Sequence, residues 1–168
     1  MIHICEKQNM RQFRIVPLSK EWAQDLRNKM HDEFGHPIIR ELSTGRGPCR
    51  ISLKPFRPGL DERLLLSHSP FEKDNAYNQP GPIFINAQEI EPYTDIHRFP
   101  PEIKADKIHF HLTLIGYNAA QQMVYTKLVG EEDIDELISQ IFNKHSEIEY
   151  LHARSAEACC FICRIERA

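Results

Sequence analysis

The residues of this chain best suited to chemistry lie in its last stretch, "YLHARSAEACCFICRIER". It sets His152, Arg154 and Arg164 beside Cys159, Cys160 and Cys163. An imidazole can donate or accept a proton near neutral pH, and a guanidinium offers a fixed fork of donors to a carboxylate or phosphate. The thiols raise metal or redox chemistry, which needs C-x-x-C at a turn or helix start where both sulfurs converge. Between Cys160 and Cys163 stand Phe161 and Ile162, which favour an extended strand. On a strand, an offset of three sends the two side chains to opposite faces. No second C-x-x-C exists to complete a four-cysteine zinc site. The pattern places Cys159, Phe161, Cys163 and Ile165 on one core face as buried thiols and apolar side chains. Tyr150, His152 and Arg154 take the other face of a hairpin, near Cys160, Arg164 or Glu166. The bland alternative is an exposed polar face with surface ion pairs to Glu157 and Glu166, which are worth little energy.

Other constellations are weaker. His109 and His111 form an H-x-H pair on one face of a predicted strand, a geometry compatible with metal ligation. Spacing fixes no third ligand among His97, His68 and Asp106, so no metal and no cofactor is assigned. Ser67 and Ser69 flank His68, but adjacent strand residues point apart, and there is no G-x-S-x-G elbow. Ser69 reads as the start of a turn with Pro70 at its second position. Cys49, beside Arg50, falls in phase with Ile51 and Leu53 and reads as a core thiol. No G-x-x-x-x-G-K phosphate loop is present.

The elements that must position these groups follow from periodicity. "QFRIVPL" reads as a strand, and Ser19 caps a helix carrying Trp22, Leu26 and Met30 on to Phe34, stopped by Gly35 and Pro37. "CRISL" reads as a strand with Arg50, Ser52 and Lys54 on its polar face. "RLLLSHS" reads as a central strand and "PIFINA" as another, separated by the long loop "SPFEKDNAYNQPG". A second irregular stretch, "EIEPYTDIHRFPPEIKADK", follows; the aromatics Phe71, Tyr77, Tyr93 and Phe99 predict that both loops pack. "KIHFHLTLIGYN" alternates with Ile108, Phe110, Leu112 and Leu114 on one face, and "MVYTKLV" pairs with it across "NAAQQ". Asp133 and Glu136 form a capping box for a helix striped by Ile134, Leu137, Ile138, Ile141 and Phe142. The sum is a single α+β domain over residues 1–168, mostly antiparallel, with about eight strands and two main helices.

Composition narrows the function classes. The 168 residues are 41% hydrophobic and 27% charged, as in ordinary globular proteins. A formal net charge of -3 gives the whole molecule no pull toward nucleic acid. The charge is uneven: Arg40, Arg46, Arg50, Lys54 and Arg57 surround the single acid Glu41, a candidate anion-facing run. From Glu131 to Glu149 acids dominate, as on a solvated helix face. No apolar run approaches a membrane span, and "MIHICEKQNMRQF" lacks the order of a secretory leader. Five cysteines, an odd count, argue against a disulfide framework and for a cytoplasmic setting with free thiols.

The pieces "GPCRISL", "LLLSHSPF", "GPIFINA", "LIGYN" and "YLHARSAEACCFICRIER", in this order from Gly47 to Arg167, resemble a small bacterial domain-of-unknown-function family, the one numbered 1203. The family pattern matches Cys49 and Arg50, Ser69 to Phe71, Gly81 to Phe84, His152 and Arg154, and Cys160, Phe161 and Arg164. The chain departs from it at His68, where a tyrosine is more usual, at the His109–His111 pair, and at Cys159 and Cys163. The resemblance implies no activity. It does group Arg50, Ser69, His152, Arg154 and Arg164. These residues frame the expectation of a small anionic ligand, bound by Arg50, Arg154 and Arg164 with His152 as acid or base and Ser69 near by. Two alternatives stand beside it: a non-catalytic interaction or oligomerisation module built on an exposed edge strand, and a metal-dependent enzyme using the H-x-H pair.

Overall fold

The computed structural model describes residues 12–168. The segment searched for a leader, with Cys5, lies for the most part outside the described residues. In chain order the elements are β1 (Phe13–Val16), α1 (Lys20–Lys29), β2 (Ile39–Leu42), β3 (Glu62–His68), β4 (Gly81–Asn86), α2 (Pro101–Ala105), β5 (Leu112–Tyr117), β6 (Met123–Leu128), α3 (Ile134–Lys144), β7 (Tyr150–Ser155) and β8 (Phe161–Arg167). Among the described residues the strands make two antiparallel sheets, ordered β1-β8-β7-β5-β6 and β2-β3-β4. The architecture is α+β, as the element count predicts.

Alternation decides which face of the larger sheet is core. Phe13 and Ile15, Leu112 and Leu114, Leu151 and Ala153, and Cys163 and Ile165 are all buried in one cluster with the apolar stripe of α3. Each aliphatic residue of that stripe contributes up to about 1.5–3 kcal/mol by burial. Asp133 caps α3 as its carboxylate accepts from the backbone N–H groups of Asp135 and Glu136. Gly116 is required where β5 passes under Tyr125 and Ile148, because a Cβ there would sit 2.9 Å from the Ile148 Cδ1. A second cluster joins Ala23 and Leu26 of α1 to Leu64, Leu66, Ile83 and Ile85 of the smaller sheet, and Phe161 of β8 reaches into it.

Several expectations are corrected. α1 ends at Lys29 rather than at Phe34, because Met30 turns left-handed at φ 53° and closes the helix onto Leu26. The buried Asp32 carboxylate then accepts from the backbone N–H groups of Phe34, His36 and Ser67 and fixes the chain after the helix. "CRISL" is no strand. It coils through Leu53 at φ 53°, with every residue from Cys49 to Leu53 buried, so Arg50 is not on a polar face. The edge strand β2, unmarked by alternation, occupies residues 39–42 instead. β5 begins only at Leu112; Ile108 precedes it and is 83% exposed. The short helix α2, begun by Pro101, interrupts the second irregular stretch. A register shift opposite Ala153 and Arg154 sets Phe161 across from Arg154, away from the face of Cys163. Cys159 is exposed.

A buried imidazole in a cage of rings

The outer face of the larger sheet carries the candidate site. His152 faces Arg164 on β8 and Ile115 on β5; Tyr150 faces Glu166 and Tyr117. Antiparallel pairing therefore brings together groups that are far apart in the chain, as the proposed hairpin requires. The His152 ring lies 4.9 Å from Phe71, 4.9 Å from Tyr117, 5.0 Å from Phe161 and 5.3 Å from Tyr150, centroid to centroid. It is 0% exposed, and neither ring nitrogen has a hydrogen-bond partner among the described residues. Burial holds its pKa well below the ordinary histidine value, and the charges of Arg154 and Arg164 push in the same direction. His152 is thus a neutral imidazole at physiological pH. A buried polar group left unpaired costs about 1–3 kcal/mol, so this arrangement demands an explanation.

The two arginines beside it differ. Arg164 stacks 3.9 Å above the Tyr150 ring, donates to Glu166 at 2.8 Å and meets Glu72 at 3.7 Å. Burial raises the Glu166 carboxyl, but Arg14 and Arg164 outweigh it and hold the group below its usual range. Arg154 donates to the Cys159 carbonyl and lies 5.9 Å from the Phe71 ring, with no carboxylate partner among the described residues. Burial raises the Tyr117 pKa, while nearby Arg154 pulls it back. Arg154 also lines a pocket of about 150 Å³ with Phe71, Tyr77, Ile115, Tyr117 and Met123, closed by Gln79 and Cys159. His152 stands directly behind two of those walls, Phe71 and Tyr117.

Residues 69–80 form the roof. Gln121, in the β5–β6 turn and 3% exposed, holds that roof. Its side-chain carbonyl accepts from the backbone N–H groups of Glu72 and Lys73, and its amide donates to the Lys73 carbonyl at 2.7 Å. Ser69 is tied by its hydroxyl to the Asn78 side chain within the same loop. Gln121→Ala removes these three hydrogen bonds, at about 1 kcal/mol each, together with a longer one from its amide to the Asn75 side chain. Amide exchange at Glu72 and Lys73 should accelerate on the order of 10²-fold while α3 amides keep their rates. Unchanged loop exchange would mean that ring packing alone holds the roof.

The other sequence candidates lie elsewhere. Arg50 is 1% exposed, and its guanidinium donates to the carbonyls of Phe161 and Pro48, behind the Phe161 strand. The basic run from Arg40 to Arg57 is largely neutralised: Arg40 meets Glu62, Arg46 meets Asp106 and Arg57 meets Asp61. His109 and His111 precede β5 rather than alternating along it, each paired with its own carboxylate, Asp106 and Glu157. Among the described residues no group of three His, Cys, Asp or Glu side chains is placed to hold a metal ion. Cys163 is buried, and burial pushes its thiol up to about 12, with Arg50 opposing. A larger cleft of about 630 Å³ opens between α2 and the start of α3. Lys104 on its rim is already held by Asp133 and Asp135.

The sequence pointed to His152, Arg154 and Arg164 but not to Tyr117 or Gln121. The Tyr117 signal was present, since alternation puts it on the face of Thr113 and Ile115. Gln121 carried none, because its role depends on a left-handed turn residue, at φ 62°, facing a distant loop.

Two antiparallel sheets, with Phe161 of the larger packed into the core of the smaller and a caged imidazole beside it, define an α+β protein whose ring-walled site is covered by a loop. The chain belongs to the family described as a protein of unknown function, DUF1203, whose model matches residues 46–167. That span includes Phe71, Tyr117, His152 and Arg154. No curated protein and no solved structure matches the chain. No helix among the described residues is long and apolar enough to cross a membrane.

Proposed function

We propose that the chain binds a small anionic ligand in the pocket beneath residues 69–80, with Arg154 as its charge partner. The observation that carries this reading is a wholly buried imidazole with both nitrogens unpaired among the described residues, next to a guanidinium that none of their acids neutralises. Both deficits are met by one guest: an anion satisfies Arg154, and movement of Phe71 exposes a neutral His152 to donate or accept a proton. Arg164 and Arg50 add positive potential without touching the guest, being tied to Glu166 and to backbone carbonyls. Ser69 keeps the roof in shape through Asn78.

Thermal unfolding with a panel of acetate, benzoate, inorganic phosphate and sulfate tests the reading. At least one anion should raise Tm in the intact chain, by an amount set by its concentration over Kd. Arg154→Ala should abolish that rise while shifting the ligand-free stability by less than about 0.5 kcal/mol, as for other half-exposed positions. A panel that leaves Tm unmoved, or a rise that survives Arg154→Ala, overturns it.

A further inference from the structure

We infer that the ligand of this pocket is a planar aromatic monocarboxylate, an identification that rests on reading the pocket as an anion site. Charge fixes the first half. Arg154 is the one cation in the lining, and among the described residues no carboxylate offsets it. Arg164, the next nearest guanidinium on this face, is already met by Glu166 and Glu72. One unmatched positive charge suits one negative charge. A planar guanidinium fork matches a carboxylate in two parallel hydrogen bonds. A dianionic phosphate would leave a charge uncompensated beside apolar walls.

The walls fix the second half. Phe71, Tyr77 and Tyr117 present three rings, and Ile115 and Met123 supply the remaining apolar surface. Phe71 and Tyr117 already meet edge to face, 5.1 Å apart at 82°, an arrangement that a further ring extends. Tyr77 and Met123 are exposed and form the mouth, while Tyr117 is buried at the floor. The volume of about 150 Å³ suits a single ring with its carboxylate. It is too small for a nucleotide and larger than acetate requires. The polar group at the mouth, the Gln79 amide, leaves room for a ring substituent that hydrogen-bonds.

Calorimetric titration of the intact chain with sodium benzoate, cyclohexanecarboxylate, acetate and inorganic phosphate tests the inference. Benzoate should bind on the order of 10–100-fold tighter than acetate, and tighter than phosphate, because only it fills the apolar walls. Cyclohexanecarboxylate, equal in charge but not flat, should fall below benzoate. Tyr77→Ala should weaken benzoate about 10-fold and leave acetate unchanged. Arg154→Gln should lose both, with the circular dichroism spectrum of the intact protein retained. Arg154-dependent binding of acetate or phosphate as tight as benzoate would overturn the aromatic assignment and leave the anion reading standing. Absence of binding by all four anions, or benzoate binding indifferent to Arg154→Gln, would overturn both.

Discussion

Arg50→Ala should destabilise the fold by about 3–5 kcal/mol, a large share of the 5–15 kcal/mol that holds a domain of this size together. The side chain is buried among Cys49, Cys160 and Cys163, with no carboxylate among the described residues to pair with it. Burial lowers its pKa, and the nearby thiols only partly compensate. Its worth lies in the donors. The guanidinium caps the Phe161 and Pro48 carbonyls, which join the second core to the second strand of the C-terminal hairpin. Truncation orphans two buried carbonyls at about 1–3 kcal/mol each and opens a side-chain-sized void. Relief of the cost of burying a charge offsets part of this. Arg50→Met separates the contributions, since it fills the space but offers no donor, and should recover about half the loss. Urea unfolding midpoints at constant slope measure both. A loss under about 1 kcal/mol for Arg50→Ala would show that the buried guanidinium is dispensable to the fold and would return it to the ligand site.

The contrast between Arg50 and Arg154 explains which parts of the molecule the sequence discloses. A short alternating run disclosed β1, a continuous apolar run disclosed β3, and the 3.6-residue stripe with its aspartate cap disclosed α3, because the apolar side chains each pattern marks are mainly the buried ones. "CRISL" alternates as well, yet its chain coils inside the protein and both sets of side chains are buried. There a buried arginine looks like a polar-face residue, and nothing local tells the two apart. The basic run from Arg40 to Arg57 misleads for a related reason. Its acids, Glu62 and Asp106, arrive from other elements, so a linear charge count overstates the free positive charge. The tail succeeded where the middle failed because β7 and β8 are true strands in a tight hairpin. Parity alone puts His152 and Arg164 on one face of that hairpin, and the structure sets them opposite each other. What parity could not supply is the bulge that moves Phe161 under the imidazole, or the loop that lays Phe71 over it. Those two rings convert an outward-facing histidine into a caged one.

That cage makes stability sensitive to acid, and His152→Phe should remove much of the sensitivity. Burial, reinforced by Arg154 and Arg164, keeps the folded pKa of His152 well below 6.5. In the unfolded chain the imidazole titrates near its ordinary value of about 6.5. Below that pH the unfolded state binds a proton that the folded state refuses. Stability from this group is therefore complete above about pH 7 and declines as pH falls through the unfolded value, by up to about 1.4 kcal/mol per unit. The decline stops only when the folded imidazole itself protonates. His68, which also packs against Phe161, is shifted the same way by burial, with Glu33 opposing. Wild type thus carries two such histidines, and the variant carries one. Phenylalanine fits a site already walled by four rings and leaves no unpaired nitrogen, so near pH 7.5 it should be neutral or slightly stabilising. The informative quantity is the difference between variant and wild type across pH, in which the carboxylates common to both cancel. In urea titrations from pH 7.5 to 5 that difference should grow in the variant's favour, and adding His68→Tyr should flatten the curve further. A difference that stays constant with pH would mean that His152 takes up a proton in the folded state. The imidazole would then not be sealed behind Phe71, and the need for a guest to reach it would disappear.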